Sequence, residues 1–555
     1  MIRPDFDRLI ADWRGPVLAA LVALLAALPS LMLLPPLDRD ESRYAQATAQ
    51  MLETGDLVDI RFQDEPRYKK PVGIHWLQTA SVALVSEVEA RDIRPYRIPS
   101  VLGAMMAAAA CAWAGAALFG QRAGFLAGAM LGATFLLSTE AGIAKTDAML
   151  AGSTTLAMAA LARLYLAARE GRAPVRLHKF LFWFGLGLSI LIKGPIGPMV
   201  VASALVMLTV WDRNARWLTR LGWGWGLPLL ALMVGPWAIA ITIASDGAFW
   251  REAVGGDLGQ KVVGADESHG GFPGYYLLLA PVLLFPATLL LPAALSTGWS
   301  RRVEPGVRFA LCWLIPTWII FELTPTKLPH YTLPTFGALA WLMAAAMTRP
   351  IGTLSRRLGA GLMLFAAVII SAVAVYGLTE FGTSTAQTWA TMTIAFSLMA
   401  AAIGGFLLLN RASTTAVLIA LGFGVLAHAG LAGEIRQLRP LSISPRLDAA
   451  LMDAGLHPRQ GRVGAPVAIT TFHEPSFVFL AGTTTELTDA EGAARALVAG
   501  RPAIVEAGDA DAFAAALAEL GAAPPRPVAE VAGHNYSKGD DLVLTVYAPA
   551  EAPAR

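Results

Sequence analysis

The sequence predicts a polytopic α-helical membrane protein with a C-terminal soluble α/β domain. Three observations point there. Of 555 residues, 55% are hydrophobic and only 15% charged, and mean hydropathy is +0.54. Apolar stretches of the roughly 20 residues that a hydrocarbon core requires recur from Val17 to Ala432. From about Gly433 the composition shifts to a soluble pattern. An ordinary soluble enzyme and a disordered tail are excluded. The formal net charge of +2 gives no reason to expect a nucleic-acid partner. Cys111 and Cys312 lie far apart in apolar segments and suggest neither a disulfide framework nor a thiolate metal cluster.

About thirteen spans are expected, at 17–36, 97–119, 122–140, 147–168, 178–193, 196–211, 223–244, 274–299, 306–322, 332–348, 357–378, 389–409 and 414–432. The first is too long, and followed by too much apolar chain, to read as a cleaved signal peptide. Basic residues set the orientation. Arg3, Arg8 and Arg14 precede the first span, and Arg169, Arg172, Arg176 and Lys179 follow the fourth. Arg213, Arg216 and Arg220 follow the sixth, and the alternation continues through Arg301, Arg302 and Arg308, then Arg349, Arg356 and Arg357, to Arg411. That face is expected to be cytoplasmic, which sends the long first loop and the C-terminal tail outward. The run 70–88 reads as an interfacial helix, because counting it as a span would reverse the alternation.

The soluble region, 433–555, is expected to form one domain beyond a membrane domain of residues 1–432. Its strands are expected at 467–472, 503–505 and 542–546, with a helix over 510–521.

The loop 37–97 is far longer than a connection needs. Residues 40–54 read as a short helix with acids in its first turn and Gly55 as its stop. Asp40, Arg43 and Tyr44 then share one face. By itself this is also the pattern of an N-cap aspartate on a solvated helix. The next segment, Glu65-Pro-Arg-Tyr68-Lys-Lys70-Pro71-Val-Gly-Ile-His75-Trp76, adds two lysines before a proline. Other outward connections repeat the theme: Glu140, Lys145 and Asp147; Lys193-Gly194-Pro195; and Lys327-Leu-Pro-His330-Tyr331. Each lysine singly fits a chain snorkelling to lipid head groups. Together, on one face of the membrane, they read as an anion-binding cavity containing a carboxylate.

These residues carry a resemblance. Asp40-Glu41-x-Arg43-Tyr44, Arg67-Tyr68 with Lys70-Pro71 and Trp76, Asp147, Lys193-Gly194-Pro195 and Lys327-Leu-Pro-His-Tyr331-x-Leu-Pro334 resemble the bacterial GT-C glycosyltransferases related to protein O-mannosyltransferases and to the lipid A 4-amino-4-deoxy-L-arabinose transferase. Gly533-His-Asn-Tyr-Ser-Lys538-Gly looks like that family's closing strand region. The resemblance implies a GT-C fold and transfer of a sugar from a polyprenyl-phosphate donor, undecaprenyl phosphate, with inversion. It implies an active cavity on the periplasmic side of the bacterial inner membrane. Lipid A is the first acceptor it suggests; a lipopolysaccharide core, another glycan, a glycolipid and a protein hydroxyl stay open. A monomer is expected.

By residue-wise match, Asp40, Glu41 and Asp147 belong to the catalytic cavity, and Arg43, Tyr68, Lys70 and Tyr331 bind the lipid phosphate. Lys193 and Lys327 would add cations there, and Tyr44, His269 and His330 are candidate substrate contacts. Asp40 is the expected base, with Glu41 structural or substrate-orienting and Asp147 the alternative acid partner. No cofactor is expected. Lys69 stands where relatives often carry an acid, and Asp257-Leu258 where they carry a Glu-His pair. These departures speak against a metal site of the arabinosyl-transferase type; a divalent metal stays open as the alternative, with His269 and His330 able to supply imidazole ligands, although neither has a spacing that specifies one. Two rivals from other classes are a lipid-linked sugar transporter or flippase and a non-catalytic envelope assembly protein. The first would be expected to show inverted repeats with broken helices near mid-membrane, and the second leaves the loop residues without a role.

Overall fold

The computed structural model describes residues 4–259, 271–460 and 466–549. Among these, eight helices are long and apolar enough to cross a membrane, Arg14–Leu33 and Ile93–Phe119 being the first two. The number rises to ten if each of two bent pairs is one span: Gln121–Gly132 with Phe135–Ala141, bent by 59°, and Tyr275–Leu283 with Ala287–Ser300, bent by 115°. All thirteen expected segments fall on helix, but three fall short as spans. Arg176–Lys193 contains Arg176, Lys179 and Lys193, Ile196–Asp212 has 17 residues, and Phe336–Met347 has 12. The chain is a multi-pass membrane protein.

Small residues let the helices close on one another. A Cβ on Gly152 would sit 2.3 Å from the carbonyl oxygen of Gly103, so Asp147–Arg169 and Ile93–Phe119 touch backbone to backbone at that point. This contact stands five residues beyond Asp147 on the same helix.

The first long loop holds the helix Asp40–Thr54, which ends as expected at Gly55 in the left-handed conformation (φ 72°). A two-residue ribbon, Arg61–Phe62 with Glu65–Pro66, follows. Then comes the helix Gly73–Val85, whose 13 residues are too few to span a bilayer.

The last long helix runs to Gln437, five residues beyond the boundary expected at 432. Beyond it lies a five-stranded mixed sheet in the order 486–488, 468–470, 503–506, 540–548, 526–535. The three N-terminal strands pair parallel and the last two join antiparallel. The strands at Ala468–Thr470, Ala503–Glu506 and Asp540–Ala548 lie where expected, and the helix Ala510–Glu519 matches its prediction. Two strands went unread. Arg526–Asn535 is an edge strand containing Pro527 and Gly533, residues that a sheet tolerates at its edge. The other, Glu486–Thr488, is only three residues long.

This sheet domain is seated on the long loop. The amide of Asp38 donates to the Tyr536 hydroxyl at 2.7 Å, and Arg39 donates to the Ser537 carbonyl. Gln46 donates to Thr483 Oγ1 at 2.7 Å, and Thr483 in turn donates to Glu53 at 2.6 Å. Phe479 meets Tyr96 edge-on at 5.3 Å within a small apolar cluster that includes Ala45 and Ala49. The helix that carries Asp40 is therefore clamped from above by the C-terminal domain.

Candidate active site

Asp147 is the first residue of its helix, where a carboxylate favours the positive end of the helix dipole. It is buried, which in a bilayer protein demands counter-charge. Lys193, the last residue of Arg176–Lys193 before Gly194 turns the chain, supplies it: Nζ lies 2.5 Å from Asp147 Oδ1. Lys145 stands 2.9 Å from Glu140 and 3.7 Å from Asp147 Oδ2. His330 closes the ring, Nδ1 at 3.7 Å from Glu140 and Nε2 at 3.7 Å from Asp147. Tyr331 lies beside it, with Lys193 Nζ 5.6 Å from its ring centre. Two carboxylates, two ammonium groups, an imidazole and a phenol thus converge where spans meet the long loop. Burial opposes the charge of Lys145, but Glu140 and Asp147 outweigh it and hold this ammonium above the usual lysine range.

The long loop adds the other wall. Tyr44 is buried with the guanidinium of Arg67 4.4 Å above its ring, a cation–π contact. Burial raises the Tyr44 phenol against the opposing pull of Arg67. His75 lies 5.4 Å from the same ring and bonds Thr48 Oγ1 at 2.8 Å. Burial, with Arg67 beside it, pushes His75 down to about 3, so its imidazole is neutral at physiological pH. Asp40 is exposed at the helix start, and its charge reaches both Tyr44 and Lys145. Arg39 before it adopts φ 61° and ψ −115°, an unfavourable conformation for a residue with a side chain.

The expected residues divide. Asp40, Tyr44, Asp147, Lys193, His330 and Tyr331 come together. Glu41 goes elsewhere: both its oxygens lie 2.8 Å from Arg97, and they also accept the amides of Leu37 at 2.8 Å and Ala144 at 2.7 Å. Tyr68 packs edge-on against Phe249 at 5.8 Å, and its phenol, pushed up to about 12 by burial and by its bond to Asp59, faces a carboxylate. Arg43 is exposed. Lys70 Nζ donates to the Lys69 carbonyl at 3.1 Å, and Lys327 Nζ to Thr324 at 2.7 Å. His269 lies outside the described residues.

Glu140, Lys145, Arg67 and His75 join the site although the sequence reading gave none of them a role of its own. Lys145 and Glu140 were legible as an acid and a base at a membrane edge two and seven positions before Asp147. Arg67 stood in the motif beside Tyr68, and the phosphate role went to the tyrosine.

Glu140, Asp147 and His330 also form a set of three metal-donor side chains, one ligand atom from each within 4.8 Å of the others. Lys145 and Lys193 already neutralise both carboxylates, so the geometry is that of an ion-pair network. A divalent ion there would have to displace two ammonium groups.

The arrangement defines a class: a polytopic membrane protein with its ionisable cluster at one membrane face. Comparison with known proteins sharpens it. Residues 17–248 match the family described as dolichyl-phosphate-mannose-protein mannosyltransferase. Two curated relatives are the undecaprenyl phosphate-alpha-4-amino-4-deoxy-L-arabinose arabinosyl transferases of Erwinia tasmaniensis and Pseudomonas paraeruginosa. The first is 31% identical over 343 residues, 60% of this chain and 60% of the relative. The second is 31% identical over 313 residues, 56% of this chain and 55% of the relative. The chain thus matches less than two thirds of either relative's length. The crystal structure of ArnT from Cupriavidus metallidurans bound to undecaprenyl phosphate superimposes with a TM-score of 0.76, covering 97% of this chain and 98% of that one at 20% identity. The two share a fold.

Proposed function

We propose that this protein is an integral-membrane glycosyltransferase that moves a sugar from an undecaprenyl-phosphate carrier to lipid A or a related envelope acceptor at the periplasmic face of the inner membrane. The observation that carries this reading is the buried Asp147, held by Lys193 and ringed by Lys145, His330 and Tyr331 at the mouth of the spans. Names of the curated relatives support the same donor and chemistry.

The reaction breaks the bond between the anomeric carbon and a lipid phosphate. Negative charge grows on the leaving phosphate, and preplaced cations lower the barrier most where water is scarce. Lys145, buried, and Lys193, half-buried, are the ammonium groups gathered around Asp147, and Arg67 over Tyr44 supplies a third positive charge. Asp147 stabilises the developing positive charge on the sugar ring. Asp40, exposed and within electrostatic reach of Tyr44 and Lys145, takes the acceptor's proton when the acceptor is a hydroxyl. When the acceptor is a phosphate, no base is required and Asp40 orients the sugar. A single displacement inverts the anomeric centre. Glu41 serves as a positioning residue through Arg97.

The test is release of undecaprenyl phosphate from a labelled undecaprenyl-phosphate sugar by the purified chain with lipid A present. Product formation is expected, and Asp40→Asn should lower it roughly 10²- to 10⁴-fold while leaving carrier binding intact. Carrier that stays glycosylated under every acceptor supplied would remove the transferase reading.

A further inference from the structure

The face that carries the long loop has a second cationic pocket, apart from the Asp147 cluster. It is a cavity of about 620 Å³ between the end of the first span, the start of the second, the end of the last long helix and the first helix of the sheet domain. One wall is apolar, formed by residues 32–36 with Ile93. The other presents Arg94, Arg436, Arg439 and Arg446. Asp92 is the one carboxylate lining it, and Arg94 holds that group at 2.7 Å. Among the described residues, no carboxylate stands within ion-pair distance of Arg436, Arg439 or Arg446.

Such a cluster of like charges costs free energy unless an anion answers it. Snorkelling alone would let the guanidinium groups spread apart among head groups. Here Arg446 is tied to the Ala532 carbonyl at 2.5 Å, and it remains close enough to Arg439 that burial and this neighbour together depress its guanidinium below the usual arginine range. The apolar wall says what kind of anion. Met32 is 48% exposed at the end of a membrane span, so the open side of the pocket faces lipid rather than water. Guanidinium forks suit phosphate oxygens, which they bind bidentately.

We propose that this pocket binds the phosphorylated head group of a membrane lipid other than the sugar carrier, with its chains against Met32 and its phosphate among Arg436, Arg439 and Arg446. The wall it uses is also a wall of the active region. Arg97 donates to the carbonyls of Leu34 and Pro35, each at 2.7 Å, and Glu41 accepts the Leu37 amide. A lipid seated here therefore rests against the segment that leads directly into the Asp40 helix.

The test reads binding and so stands or falls apart from the transferase reading. The full chain is placed in phosphatidylcholine nanodiscs, and retention of added phosphatidylglycerol is measured by native mass spectrometry. The wild type should retain it in preference to phosphatidylcholine. Arg436 and Arg439 are both exposed, so Arg436→Glu with Arg439→Glu leaves the packing alone and should lower retention roughly tenfold or more, taking each basic residue at its usual contribution near an anionic surface. Arg436→Lys with Arg439→Lys should keep most of it, and binding of undecaprenyl phosphate should be unchanged in both variants. Equal retention by the glutamate variant would overturn the proposal. So would displacement of phosphatidylglycerol by an equal concentration of inorganic phosphate, which would mark a site for a soluble anion.

Discussion

Two acid–base pairs show opposite designs. In the Glu41–Arg97 pair, both side chains are essentially inaccessible. The guanidinium bonds both carboxylate oxygens and the carbonyls of Leu34 and Pro35, and the carboxylate takes two further amides. Nothing is left over for a ligand, and a rigid fork sets the geometry. In the Asp147–Lys193 pair, the cation is a compact ammonium on a flexible stem, and the neighbouring imidazole and second lysine stand at 3.7 Å. Those partners can turn to a phosphate without breaking a fixed lattice. A saturated pair holds shape, and an unsaturated one is available for chemistry.

The comparison can be broken from the strong side first. Arg97→Ala leaves a buried carboxylate without its counter-charge and the Leu34 and Pro35 carbonyls without that donor, and should cost about 3–5 kcal/mol, seen as a collapse of thermal melting in detergent. Glu41→Leu with Arg97→Met should recover much of that loss, since an apolar pair of similar volume leaves no orphaned charge. Wild-type melting of Arg97→Ala would deny the pair its structural role.

Next comes Asp147→Asn. Transfer should fall about 10²- to 10³-fold, the scale set by removing one fixed electrostatic partner from a reacting centre, with melting kept near wild type. Unchanged turnover would take Asp147 out of the reaction. Chelation should then change little: with Lys145 and Lys193 on the carboxylates, activity in EDTA should stay within about twofold, and loss restored by a divalent ion would show the three donors to be a metal site.

The smallest effect concerns Asp38, beneath the sheet domain. Burial first, with Glu474 beside it and against the hydroxyl bonds of Ser476 and Tyr536, lifts its carboxyl from 3.8 to about 6. A raised acid favours the protonated folded state, so its stabilising contribution is complete below about pH 4 and is lost as pH rises through 6. Melting of the wild type should therefore improve from pH 7 to pH 5 relative to Asp38→Asn. Parallel melting curves across that range would remove this group from the balance.

Much of this was legible in local pattern. Acids in a first turn and a terminal glycine located the helix Asp40–Thr54 to the residue, because capping and dipole effects act within one turn. Apolar run length placed the helices. It could not count spans, since a bend of 115° or a helix of 12 residues is set by neighbours rather than by composition. The two ion pairs were hidden for the same reason. Glu41 meets Arg97 across 56 positions and Asp147 meets Lys193 across 46, so nothing in either motif reveals which cation its acid will hold. Tyr68 shows the converse: a motif placed it with the phosphate, and Asp59 and Phe249, at distances set by the fold, give its ring other company.

The hydroxyl of Tyr536 and the amide of Asp38 are 498 positions apart in the chain. At the usual pace of bacterial translation, roughly 5–20 residues per second, about 25–100 s separate the synthesis of the two. Throughout that interval the Asp40 helix lacks its clamp. The helix thus acquires its final geometry late, when the closing hairpin of the sheet arrives. The order of synthesis itself keeps the loop face from assembling before nearly all the protein is made.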